Sequence, residues 1–270
     1  MTAPAIRLVT GARVGSRTRL AIGHLQCVSR DARPARLIAA QSEAAGPEVE
    51  DAPPREVAAR FANGLALRPQ VDGDLLPADP GAAIRGGAGD EIPVMAGAAQ
   101  DEFKFLIKGA DGAQAAWSLP RLLGDAARAE KFRRGHAVAS PDALIGQAIT
   151  DFTFRAPALL LAEWRADAAA PTYLYAFAWG PREGLDGARH CLGIPFAFDC
   201  LAAERVAGVA GAQPPRALAD SIHAAWVAFI TSGDAGWPAY HRPERRAMID
   251  DAASRVEHDA MRLQREIWLA

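Results

Sequence analysis

The sequence is poor in the residues that most directly mark a compartment or a site. Its three cysteines, Cys27, Cys191 and Cys200, are too few for a disulfide framework and show no metal-ligand spacing. Aromatic residues make up only 7% of the chain, so alanine, leucine and valine must fill most of the core. No uninterrupted apolar run approaches the ~20 residues of a membrane-spanning helix, which excludes an integral membrane protein of that kind. Nor does one charge dominate. Thirty Lys and Arg against 32 Asp and Glu leave a net charge of −2, which excludes a strongly basic nucleic-acid binder. What is present is a chain of 270 residues, half of them hydrophobic, with a mean hydropathy of −0.03. That length is generous for one domain and tight for two, and it can bury a sizeable core. The composition predicts an α/β or α+β protein.

The charge is unevenly spread. Residues 1–36 hold seven arginines and one acid, Asp31, whereas the remaining 234 residues hold 23 basic side chains against 31 acidic ones. An Arg-rich, acid-poor start has the composition of a transit peptide. The plainer expectation is an irregular basic lead, open to disorder, whose start does not coincide with a domain edge. No apolar h-region marks a secretory signal, so the expected location is cytoplasmic.

From about residue 31 the pattern becomes organised. Residues 33–45 read as a short helix and 46–54 as a loop rich in proline and acid. A second short helix is expected over 79–86, followed by the turn Gly86-Gly87-Ala88-Gly89. The apolar run 92–98 predicts a buried strand. Ser140-Pro141-Asp142 is a helix start, with a capping hydroxyl, proline at the first helical position and an acid on the positive end of the dipole. Residues 151–165 have helical apolar spacing through Phe154, Ala158, Leu161 and Arg165, interrupted by Pro157. Residues 171–179, PTYLYAFAW, are apolar on both faces and predict a strand covered on both sides of a sheet. Leu218, Ile222, Trp226 and Phe229 form one stripe of a helix over 215–232, with Gly233 as its C-cap. A last helix is expected over 252–268, carrying Val256, Leu263 and Ile267.

Two of these strands end in chemistry. The strand at 92–98 leads to Asp101-Glu102, and the strand at 171–179 leads through a polar loop to Arg189-His190-Cys191. The carboxyl ends of strands are where an α/β sheet presents functional groups. An acid and then a histidine, each after a strand, is the order of the last two members of the Ser–acid–His triad of α/β-hydrolases. In such a triad the histidine takes the nucleophile's proton while the acid holds its tautomer.

Five blocks then resemble one family. VDGDLLPADPGAAI (71–84) with IPVMAGAAQDEFKFL (92–106), DFTFRAPALLLAEWRADAAAPTYLYAFAW (151–179), GARHCLGIPFAFDC (187–200) and WVAFITSGDAGWPAYHRPERRAMIDD (226–251) stand in the order found in type B carboxylesterases. The resemblance runs from roughly 65 to 268. It implies the C-terminal portion of an α/β-hydrolase sheet with flanking helices, an incomplete domain over residues 37–270. It also implies Glu102 as the triad acid and His190 as the base, with Asp101 a neighbour and Asp151, Phe154 and Arg155 a structural helix start. Cys191 departs from the small residue expected beside the histidine, and the plain expectation for it is a buried small hydrophobe. Phe103 stands where a glycine is often seen.

The largest departure is an absence. The family's nucleophile lies in Gly-x-Ser-x-Gly, a strained elbow that exposes the serine oxygen. None of the eight serines has glycine at both flanking second positions. Gly86-Gly87 mimics an oxyanion turn but follows, rather than precedes, the nucleophile's place. The resemblance therefore implies ester hydrolysis of Ser-His-Glu type with nucleophile and oxyanion loop absent from this chain. Its substrate would be a small ester, its partner a separate N-terminal esterase chain or a second copy, with no cofactor and no metal. The alternative is a non-catalytic remnant or interaction module with an uncovered sheet edge. The other histidines read plainly: His136 in a solvated basic patch, His223 at a core edge, and His24, His241 and His258 without metal-ligand spacing. Trp237 and Tyr240 are expected as pocket lining or core.

Overall fold

The computed structural model describes residues 20–23, 71–74, 76, 79–104, 107–137, 139–181 and 187–269. Residues Leu25–Ala83 cluster separately from Met1–His24 with Ile84–Ala270, and the latter unit carries the sheet. Five strands lie in the order in which they occur in the chain: β1 (Leu20–Gly23), β2 (Val94–Ala99), β3 (Thr172–Phe177), β4 (Arg246–Asp250) and β5 (Arg255–His258). The first four are parallel, and β5 turns back antiparallel on β4. This is the mixed α/β sheet with flanking helices expected from the alternation of apolar strands and helical stripes. Within residues 1–36, Leu20–Gly23 pairs in register with Val94–Gly97. The rest of residues 1–36, and the segments 33–45 and 46–54, lie outside the described residues.

Parallel strands need long crossovers, and helices supply them. Between β2 and β3 run α2 (Gly112–Leu123), α3 (Ala126–Gly135), α4 (Pro141–Thr150) and α5 (Ala156–Trp164), numbered after the short α1 (Pro80–Arg85). Between β3 and β4 lie α6 (Ile194–Ala197), α7 (Ala207–Ala210) and the long α8 (Arg216–Ser232), and α9 (Arg262–Trp268) ends the described chain. The α4 start is capped as its sequence predicts: the Ser140 hydroxyl accepts from the Ala143 N–H at 3.2 Å, with Pro141 first in the helix. Helix α8 ends where Gly233 adopts a left-handed φ of 81° and donates its N–H to the Phe229 carbonyl at 2.8 Å, a conformation glycine takes without Cβ strain.

Strand β3 is covered on both faces, as its unbroken apolar run predicts. Leu174 packs with Leu159 and Ala162 of α5 and with Ala247 of β4. On the opposite face Tyr173 meets Phe229 and Phe177 meets Leu218 and Ile222, all from α8. A third cluster joins α2, α3, α4 and α9 around Leu119, Phe132 and Ile267. Two expectations are corrected. Residues 252–268 are not one helix: Val256 lies in β5 and is exposed, and only Arg262–Trp268 is helical, because the Asp251–Ser254 turn lets the chain pair back along β4. The interruption expected at Pro157 lies before it, as a wider π-turn over Asp151–Arg155, while Pro157 sits in the first turn of α5.

Candidate active site

The site is built where β2 and β3 end. The Gln100 N–H donates to the Phe177 carbonyl at 2.8 Å, extending the ladder one residue past β2. The chain then turns, and the turn is latched to the loop after β3. The Asp101 N–H donates to the Ala188 carbonyl at 3.0 Å, the Ala188 N–H returns to Asp101 Oδ2 at 3.1 Å, and the His190 N–H donates to the Glu102 carbonyl at 3.0 Å. Gly187 is required at the tightest point. Its φ is 71°, and a Cβ there would collide with the Asp101 carboxylate. Asp101 is thus a loop clamp, also 3.2 Å from the Lys104 ammonium, and not part of the pair that follows.

Glu102 is 1% exposed, an unusual burial for a carboxylate, and both of its oxygens are used. Oε1 accepts from the Ala99 N–H at 2.8 Å, and Oε2 accepts from His190 Nδ1 at 2.6 Å. One oxygen therefore anchors the side chain under the strand end while the other orients the imidazole. The His190 side chain keeps 29% of its surface exposed, so its pair with Glu102 is buried on one side and open on the other. The Phe103 and Phe154 rings lie 5.0 and 5.4 Å from the imidazole and 4.9 Å from each other, edge to face. The residue standing in place of the expected glycine, and one assigned to plain packing, thus flank the imidazole.

The expectation for Cys191 is overturned. It is exposed rather than buried, and its backbone has a φ of 65°. The adjoining Cys191 thiol first, and the bond to Glu102 second, push the imidazole pKa up to about 10, against the opposing effect of burial. Consecutive side chains diverge in regular structure; the left-handed backbone at residue 191 lies outside that rule.

Behind the acid turn lies a buried polar network. The Gln147 amide donates to the Gln100 carbonyl at 3.1 Å and to Asp151 Oδ1 at 2.9 Å, and Arg155 reaches the same oxygen at 2.8 Å. Gln264 of α9 donates to the other oxygen, Oδ2, at 2.7 Å. The Phe103 N–H is held in turn by the Thr150 hydroxyl at 3.0 Å. The wide turn at Asp151–Arg155 thus points its ionic pair inward while Phe154 reaches His190. Two further groups carry no sequence signal. Asp250, at the end of β4, has its carboxyl pushed up to about 7 by burial. Burial raises the Tyr175 phenol too, assisted by the nearby charges of Asp250 and Glu102.

The remaining sequence candidates are structural. The His136 Nδ1 is bonded to the Phe132 carbonyl at 3.0 Å and its ring packs on Phe132, while the His223 Nδ1 meets the Ala197 carbonyl at 2.9 Å. Tyr240 is buried with its hydroxyl donating to Glu163 at 2.7 Å, and Trp237 lies in the core against Tyr173. A groove of about 700 Å³ runs along α2 past Trp117, Lys108 and Asp111, but neither Glu102 nor His190 lines it. Among the described residues, no helix is long and apolar enough to cross a membrane.

No protein-family model matches the chain. It is 32% identical over 208 residues to a para-nitrobenzyl esterase of Bacillus subtilis, across 72% of this chain and 41% of that protein. It is 28% identical over 219 residues to a phenmedipham hydrolase of Pseudarthrobacter oxydans, across 73% and 43% of the two chains. The chain thus spans about two fifths of the length of these relatives. Its fold superposes on a carboxylesterase of Geobacillus stearothermophilus with a TM-score of 0.63 at 27% identity, across 80% of this chain and 48% of that one. A thermophilic para-nitrobenzyl esterase superposes with a TM-score of 0.66 at 24% identity, across 93% and 56%. Sequence blocks, sheet and relatives agree: the chain is a homologue of the type B carboxylesterases, related to them over part of their length.

Proposed function

We propose that Glu102 and His190 are the acid and base of a Ser-His-Glu carboxylesterase site, acting on small carboxylic esters with a serine and an oxyanion loop that this chain's sequence does not contain. The observation that carries this reading is the 2.6 Å bond from His190 Nδ1 to a Glu102 carboxylate whose other oxygen is fixed by the Ala99 N–H. A base oriented by a third group, with its far side open, is the arrangement that activates a hydroxyl nucleophile. None of the chain's serines lies in Gly-x-Ser-x-Gly, so on this reading the attacking hydroxyl comes from elsewhere. Removing a triad nucleophile leaves roughly 10³–10⁴ over water only where the oxyanion hole and binding site persist.

The test is complementation. Purified chain is expected to give no sustained turnover of p-nitrophenyl butyrate. Co-expression with the Gly-x-Ser-x-Gly half of a para-nitrobenzyl esterase is expected to give turnover that Glu102→Gln and His190→Ala each abolish. A co-purifying pair that stays inactive, or whose activity survives His190→Ala, overturns the reading in favour of a non-catalytic module.

A further inference from the structure

We propose that three residues of α4, Gly146, Gln147 and Thr150, are positioning residues that seat the acid turn and so set how Glu102 meets His190. The inference rests on the proposed function for its chemistry, while its geometry belongs to this chain alone. Spaced at i, i+1 and i+4, the three share one face of the helix, and all are buried. Each meets the turn at a different point. The Gln147 amide donates to the Gln100 carbonyl at 3.1 Å, and the Thr150 hydroxyl accepts from the Phe103 N–H at 3.0 Å. These two bonds hold the backbone on either side of Glu102. Gly146 lets the helix come up against the chain just beyond: a Cβ there would stand 2.7 Å from the Lys104 Cα and 2.9 Å from its carbonyl oxygen, closer than a side chain can approach.

Glu102's own anchor cannot do this work. Oε1 accepts from the Ala99 N–H, which fixes one oxygen at the strand end and leaves the turn's backbone to pivot about that point. With α4 behind the turn, the pivot is closed and Oε2 is aimed at His190 Nδ1 at 2.6 Å. Such aim matters, because a misplacement of about 1 Å can cost on the order of 10²-fold in rate. The Gln147 amide is itself fixed by a second bond, to Asp151 Oδ1 at 2.9 Å, so its two N–H groups serve one acceptor each. Gln264 bonds the other oxygen of that carboxylate from α9, and its bond ends there. It supports the network without holding the turn, which makes it the comparison that separates positioning from plain stability.

The experiment is a ring-proton NMR titration of His190 in the full chain, read beside urea midpoints. Glu102→Gln lowers the titration midpoint and sets the scale; no change there defeats the paired base that both readings require. Gln147→Leu and Thr150→Val are each expected to lower the midpoint by about one pH unit, the low end of what a neighbouring carboxylate contributes. Thr150→Ser keeps the hydroxyl and is expected to titrate as wild type. Gly146→Ala removes no polar group and favours the helix, yet it is expected to lower the midpoint too. Gln264→Leu is expected to lower the urea midpoint and leave the titration unchanged. Folded Gln147→Leu and Thr150→Val proteins that titrate as wild type overturn the inference, as does a Gln264→Leu shift of equal size. Should both of the first two fail to fold, Gly146→Ala decides alone. An inactive complemented pair in which these shifts still occur defeats the proposed function only, and an active pair without them defeats the seat only.

Discussion

Cys191 follows the imidazole of His190 in the chain with a left-handed backbone. A φ of 65° is a conformation that glycine adopts freely and other residues rarely do, and the cysteine holding it is exposed beside the imidazole. Because that thiol is the largest influence raising His190, with Glu102 second, Cys191→Ala is expected to lower the imidazole pKa well below about 10. A ring-proton NMR titration checks it, and an unmoved midpoint would show that Glu102 alone sets the value. The raised pKa also has a stability consequence. A base held protonated in the fold stabilises it fully below the unfolded value of 6.5, and that contribution is lost as pH rises through about 10. Urea midpoints should therefore fall between neutrality and pH 10 more steeply for wild type than for His190→Ala. Parallel pH profiles would contradict this.

Among the elements, β4 and the π-turn make opposite demands on buried charge. Asp250 ends β4 with a carboxyl raised to about 7 by burial, so the fold disfavours its ionisation. The sign is clear: stability is greatest below the ordinary carboxyl value of 3.8 and declines as pH climbs to about 7, where the penalty is complete. Asp250→Asn should accordingly stabilise the protein at pH 8 by roughly 2–4 kcal/mol and do little near pH 4. Equal effects at both pH values would locate the cause in packing instead. The π-turn solves the same problem by pairing. Asp151, fully buried, accepts from Arg155, Gln147 and Gln264. Asp151→Ala strands the Arg155 guanidinium and is expected to cost about 3–5 kcal/mol. Denaturant melts measure it, and a loss under 1 kcal/mol would mean that the guanidinium finds water.

At the scale of the whole molecule, the sheet ends on one side in β1, which among the described residues pairs on only one edge. An open strand edge is a template for another chain. Val227 and Ile230 of α8 add exposed apolar surface, at 45% and 38%. The expected behaviour is concentration-dependent self-association and binding of a hydrophobic dye, both relieved by the complementing esterase half. Size-exclusion chromatography checks it. A compact monomer at every concentration, with no dye bound, would show that the edge and the α8 surface are already protected.

Much of this protein was legible in one dimension, and the limits of legibility are physical. The strands at 94–99 and 172–177, the α4 cap and the α8 stripe with its Gly233 stop are written in local periodicity and cap chemistry, which depend on neighbours a few residues away. Glu102 and His190 were nameable as candidates because each follows a strand and sits in a recognisable block. Strands β4 and β5 were missed because Arg246–Asp250 is short and mixed and Arg255–His258 is largely polar, so pairing rather than pattern makes them strands. Only tertiary structure decided that the two loops latch together, that Phe103 and Phe154 flank His190, that Asp250 is buried, and that Cys191 is exposed at a left-handed φ. Each of these joins residues far apart in the chain or rests on a backbone angle that no local propensity encodes, and both are settled only when the sheet brings its strand ends side by side.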